Sequence, residues 1–103
     1  MTKDWRLQNL ESQPLRGVRW VRKVYRVRRP DWTHDHCVGC WAKLMEPGVE
    51  GDDIIHEGYA TTEDYTRGAD YDWVCPSCYE LFRDDMEWVD VTPKNSERHH
   101  HPA

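Results

Sequence analysis

The chain lacks any run approaching the roughly 18 apolar residues of a membrane span, so a membrane-crossing helix is not expected and the protein should be soluble. No apolar stretch follows Met1-Thr2-Lys3, which gives secretion no support and sets the expectation of a reducing, cytoplasmic setting. Phenylalanine occurs once, against six Trp and five Tyr, so large amphipathic rings should wall the core and leave polar edges at the surface. Apolar residues make up only 38 % and charged residues 32 %; the usual charged share is about 25 %. At 103 residues this allows one small domain with a thin core, the kind that leans on a cross-link or a metal for stability. There is no internal repeat beyond a duplicated Cys-x-x-Cys.

Cysteine is sparse as well, yet its placement carries the strongest signal. The four cysteines form two Cys-x-x-Cys pairs, Cys37/Cys40 and Cys75/Cys78, with 34 residues between them. Each pair turns two thiolates toward one ion, and two such knuckles from distant segments complete a closed tetrahedron. The spacing therefore predicts one structural Zn2+ held by all four. Paired redox dithiols are the alternative. His34 and His36 flank the first knuckle, where four thiolates leave them no vacancy. One of them is expected to hydrogen-bond a thiolate or a carbonyl, and the alternative is that one of them is itself a ligand. Asp31 and Asp35 are placed to orient these imidazoles or to cap the local turn.

Acids are missing from residues 16 to 29, which carry Arg16, Arg19, Arg22, Lys23, Arg26, Arg28 and Arg29; residues 46 to 90 carry fourteen acids against only Arg67 and Arg83. The plain expectation is that the two segments face each other or water. The alternative makes Arg19, Arg22, Lys23 and Arg26 a docking strip for an acidic protein or a nucleic acid.

Residues 1 to 15 show no sustained periodicity and read as a flexible arm in which Trp5, Leu7 and Leu10 pack locally. Val and aromatic residues from Gly17 to Val27 predict a strand, ended by Pro30. Trp41, Leu44 and Met45 fall at the spacing of a short helical turn, closed by Pro47-Gly48. Ile54 to Thr61 and Tyr71 to Cys75 read as two strands joined through a turn at Arg67-Gly68-Ala69-Asp70. Pro76 suits a first helical residue, and apolar groups at 78, 81, 82, 86 and 89 predict a helix with Leu81 and Phe82 in the core. Residues 92 to 103, ending His99-His100-His101-Pro102-Ala103, read as a disordered tail.

A knuckle, a hairpin and a helix whose first turn carries the second Cys-x-x-Cys resemble the treble-clef zinc-finger superfamily from about Trp32 to Val89. Within it, D-W-T-H-D-H-C-x-x-C-W, H-E-G-Y and W-V-C-x-x-C-x-x-x-F are similar to a group of small bacterial zinc-binding proteins with no assigned activity. The resemblance implies Cys37 and Cys40 as knuckle ligands and Cys75 and Cys78 as helix-start ligands, the latter pair favoured by the positive end of the helix.

Enzyme readings find less support. His56 invites comparison with the treble-clef nucleases, but no second His and no Asn lies between it and Cys78 or along the helix to Val89. A zinc deaminase needs H-x-E and P-C-x-x-C, whereas here Glu57 follows His56 directly and Val74 precedes Cys75. Dithiol redox catalysis would need a parallel βαβ unit, and none is readable. The expected molecule is a small α+β, treble-clef-like domain over residues 16 to 91 with an added N-terminal strand. Its expected role is non-catalytic: one zinc stabilises a module for protein interaction. Nucleic-acid binding through residues 16 to 29 is the alternative and a zinc or dithiol enzyme the third reading; no small-molecule substrate is indicated.

Overall fold

The computed structural model describes residues 4–27, 34–49, 51 and 54–93. In chain order the elements are helix α1 (Trp5–Glu11), strands β1 (Arg19–Val24), β2 (Asp35–His36), β3 (Lys43–Leu44), β4 (Ile54–Ile55), β5 (Glu57–Thr61) and β6 (Trp73–Val74), helix α2 (Pro76–Met86) and strand β7 (Val89–Asp90). The fold is α+β, with two helices among the described residues. Neither is long and apolar enough to cross a membrane.

One sheet has the order β6-β5-β1-β7, with β1 antiparallel to β5 and parallel to β7, and β5 antiparallel to β6. The other has the order β2-β3-β4, antiparallel then parallel. Residues paired across a sheet share a face, so Trp20, Arg22, Tyr59 and Val74 lie on one side of the larger sheet, while Val21, Ala60 and Trp73 lie on the other. The first side receives α2. Tyr79 stacks on Tyr59 with ring centroids 3.8 Å apart, and Trp88 follows in the same aromatic column, edge-on to Trp20 at 5.2 Å. The second side packs Ala60, Trp73 and Tyr25 against Leu44 of the smaller sheet. Gly58 is required at that junction, because a Cβ there would sit 2.9 Å from the Val74 carbonyl oxygen and 3.1 Å from Leu44.

The loop from Thr61 to Asp72 is organised by one buried hydroxyl. Thr61 Oγ1 donates to the Gly68 carbonyl (2.9 Å) and accepts from the backbone N–H groups of Tyr71 and Asp72. The loop thereby returns the chain as β6 and delivers Cys75 to the start of α2. That helix starts at Pro76, whose missing N–H is no loss in a first turn. It ends at Glu87 in the left-handed conformation, with the Trp88 N–H returning to the Arg83 carbonyl.

Several expectations are corrected. In the arm expected over residues 1–15, Trp5–Glu11 instead form a helix capped by Asp4, whose carboxylate accepts from the Arg6 N–H; Leu10 on the helix and Leu15 beyond it are fully buried. The physical reason is local, since an N-cap, Leu7 and Leu10 three residues apart, and a following Pro14 suffice for two turns once a surface exists to receive the leucines. Trp41 to Met45 form no helical turn; β3 occupies that stretch because its pairing with β2 sends Leu44 into the core against Tyr25. Strand 54–61 is broken at His56 into β4 and β5, and the second hairpin strand is shortened to Trp73–Val74. Leu81 is 56 % exposed and Val89 lies exposed in β7; the buried face of α2 is Cys78, Tyr79, Phe82 and Met86. Thr92, placed in the expected tail, still contacts the fold by accepting from the Arg22 N–H (2.8 Å). Arg28, Arg29, Pro30, Asp31 and the tail from Lys94 lie outside the described residues.

Candidate metal centre

The β2–β3 turn is closed by paired backbone contacts, the Cys37 N–H donating to the Ala42 carbonyl (2.8 Å) and the Trp41 N–H to the Cys37 carbonyl (2.9 Å). A bridge from Cys37 to Trp73, with the Val38 N–H donating to the Trp73 carbonyl, ties this turn to β6 and so to the start of α2. The result brings all four sulfurs within 4.8 Å of one another, arranged to bind a metal ion. Cys37, Cys75 and Cys78 are buried and Cys40 is half-buried, with its sulfur 3.6 Å from that of Cys75. Each Cys-x-x-Cys also aims a backbone donor at its own first sulfur: the Cys40 N–H at Cys37 and the Cys78 N–H at Cys75.

Electrostatics say what such a cluster needs. Cys75 is pushed far below the usual thiol range by hydrogen bonds from Cys37 and then Cys78. Cys37 is pushed up, first by donating to Cys75. Cys78 is pushed up by its contacts with Cys37 and then Cys75. Among these three, Cys75 is favoured as the thiolate while Cys37 and Cys78 are held protonated, because like charges at this separation repel. Four thiolates require a cation among them. The donor set fits this requirement, since sulfur donors in a closed tetrahedral array suit Zn2+.

Support for the knuckle comes from α1. Asn9 Nδ2 donates to the Gly39 carbonyl (2.8 Å), and a Cβ added at Gly39 would lie 3.1 Å from the Cys78 sulfur and 3.4 Å from Leu10. The Arg6 guanidinium lies over the Phe82 ring; its pKa is raised first by Asp4 and, more weakly, by Cys78 and Cys40. Sequence reasoning missed Arg6, Asn9 and Leu10 as parts of the site. The Asp4 cap with the Leu7/Leu10 spacing was the signal available.

The other candidates fall elsewhere. Neither His34 nor His36 joins the four-sulfur group. Their rings meet edge to face at 5.0 Å, and His36 also meets Trp41 at 6.3 Å. The His36 pKa is lowered by burial and then by His34 and Lys43. Asp35 accepts a hydrogen bond from the Tyr25 hydroxyl (2.9 Å). His56 Nδ1 lies 3.0 Å from the Met45 carbonyl oxygen.

Within the described part of the basic strip, three cations meet the chain's own acids: Arg22 pairs with Glu57 (2.7 Å), Lys23 with Asp70 (2.9 Å) and Arg19 with Asp64 (3.3 Å). Arg26 is exposed. Compared with known protein families, curated proteins and solved structures, the chain has no significant match.

Proposed function

We propose that this protein is a treble-clef-like module in which Cys37, Cys40, Cys75 and Cys78 hold one zinc ion, and that it acts in the cytoplasm by binding another protein rather than by catalysis. The observation that carries the reading is the convergence of four sulfurs within 4.8 Å, two from a β-turn and two from the first turn of a helix. The treble-clef assignment is supported by the order of parts: a knuckle between β2 and β3, the antiparallel pair β5–β6, then α2. A non-catalytic role is favoured because the chain supplies four sulfurs, which would fill a tetrahedral ion and leave no position for substrate. Against nucleic acid as the partner stand the ion pairs of Arg19, Arg22 and Lys23 and the net charge of -5.

Metal binding to structural four-ligand sites is worth about 10–16 kcal/mol, comparable to the whole stability of a typical domain at about 5–15 kcal/mol. Chelation is therefore expected to unfold the chain. The test is metal content with X-ray absorption: one zinc surrounded by four sulfurs is expected. Three sulfurs and one nitrogen would move a ligand role to a histidine, and a folded, zinc-free protein with four reactive thiols would overturn the reading.

A further inference from the structure

The four cysteines are not equally placed toward water. Cys37 and Cys78 are 0 % exposed and Cys75 is 5 % exposed, whereas Cys40 is half-buried. The Cys40 sulfur lies 3.6 Å from that of Cys75, which belongs to the other Cys-x-x-Cys. The accessible edge of the cluster is therefore a sulfur pair that joins the β2–β3 turn to the start of α2, while Cys37 and Cys78 are sealed from solvent. A disulfide spans about 2 Å, so a small approach of these two sulfurs brings them to bonding distance.

Thiolates gathered around a cation stay deprotonated at neutral pH and keep a nucleophilic lone pair. An oxidant arriving from water meets Cys40 first. With hydrogen peroxide the chemistry balances without a further reagent. The Cys40 sulfur attacks one peroxide oxygen, the O–O bond breaks, hydroxide leaves and Cys40 becomes a sulfenic acid. The Cys75 sulfur, 3.6 Å away, then attacks the Cys40 sulfur; the S–S bond forms, the S–O bond breaks and a second hydroxide leaves. The two sulfurs give up two electrons, the peroxide takes them, and two protons from solvent turn both hydroxides into water. Only Cys37 and Cys78 then remain as thiolates, half of the donor set that the site needs to retain a cation.

We infer that the cysteine centre is also a peroxide-responsive switch, in which Cys40 is the reacting sulfur, Cys75 the resolving one, and the Cys40–Cys75 disulfide the state that gives up the metal. This rests on the metal-binding reading above and adds a regulation of the same site. The disulfide closes the loop from residue 40 to residue 75, so the turn and the helix start stay linked when a cation no longer joins them. Its Cys75 sulfur carries no charge, so the Cys78 N–H loses a charged acceptor and the first turn of α2 loosens. In a reducing compartment such a disulfide is transient. A dithiol returns the two electrons, becomes a disulfide itself, and restores all four sulfur donors.

The test uses the wild-type, zinc-loaded chain, so that no sulfur is removed in advance. Metal content is measured first. Hydrogen peroxide is then added, in one arm with dimedone to trap sulfenic acid and in another without it; peptides are mapped by mass spectrometry while a chromogenic chelator reports free zinc. Expected are dimedone on Cys40 ahead of the other three cysteines, a Cys40–Cys75 linkage in the arm without dimedone, and loss of zinc in step with that linkage. The reduced, zinc-bound protein should return after dithiothreitol, its removal and added zinc. Protein isolated without metal and with all four thiols reactive would overturn the metal reading and this inference with it. Zinc-loaded protein in which dimedone reports another cysteine first, the linkage forms within Cys37/Cys40 or Cys75/Cys78, Cys40 passes to sulfinic or sulfonic acid in place of a disulfide, or zinc leaves before any disulfide forms, would overturn this inference alone and leave the metal reading standing.

Discussion

Leu10→Ala tests whether α1 belongs to the core that carries the four cysteines. Leu10 is fully buried, within van der Waals reach of Gly39 and in the same cluster as Cys37 and Cys78. Truncation removes three carbons, a transfer loss of about 2.4 kcal/mol at about 0.8 kcal/mol per carbon. The cavity left against the knuckle turn raises this within the about 2–5 kcal/mol observed for buried leucines. For a domain near 100 residues that corresponds to a fall in melting temperature of about 10–25 °C. The assay is thermal and denaturant unfolding of the metal-loaded protein, with Leu81→Ala as the control. Leu81 is 56 % exposed, so its truncation should stay within about 0.5 kcal/mol of wild type. A second readout is metal transfer to a competing chelator, expected to be faster in Leu10→Ala because the Asn9 to Gly39 hydrogen bond loses the docked helix that positions it. If Leu10→Ala unfolds with wild type, or no earlier than Leu81→Ala, then α1 is not docked and the reasoning fails.

Cys75→Ser and Cys78→Ser should each lose the metal and the cooperative melt together, because three thiolates with no complete ion destabilise the turn and the start of α2 at once; a folded, metal-bearing Ser variant by calorimetry and metal analysis would contradict this. The exposed Arg22–Glu57 pair should show a coupling of about 0.2–1 kcal/mol in a double-mutant cycle, shrinking at about 1 M salt where screening reaches about 3 Å; a coupling insensitive to salt would argue against an electrostatic origin. Burial raises the Asp72 carboxyl above its ordinary value of 3.8, so the proton binds more readily in the folded chain, and this group favours folding increasingly as pH falls through its raised value toward 3.8. Asp72→Asn keeps an acceptor for the Tyr65 hydroxyl without the buried charge, so it should be more stable than wild type at neutral pH, with the gap closing below pH 3.8; melting curves across pH that show a constant or reversed gap would refute it.

The sequence alone determined the sulfur set, the strand after Gly17, the turn near Gly68 and the helix opening at Pro76, because each is written in a short local code. A Cys-x-x-Cys, a run of β-branched and aromatic residues, and a proline before a periodic segment require no distant partner to be recognised. The opposition of the basic and acidic segments was legible as an expectation, and the pairs Arg19–Asp64, Arg22–Glu57 and Lys23–Asp70 supply its particulars.

Tertiary structure decided what local patterns left degenerate. Trp41, Leu44 and Met45 satisfy a helical spacing, yet the backbone pairing of His36 with Lys43 makes Lys43–Leu44 a strand, and its Leu44 reaches Tyr25 and Trp73. Leu81 and Tyr79 are both compatible with an apolar helix face, and only the presence of Tyr59 on β5 selects Tyr79 for the core and leaves Leu81 in water. Leu7 and Leu10 are too few to specify a stable helix by themselves. They become one because the knuckle and α2 provide the surface that buries them, and a short helix gains most of its stability from that burial rather than from its own residues.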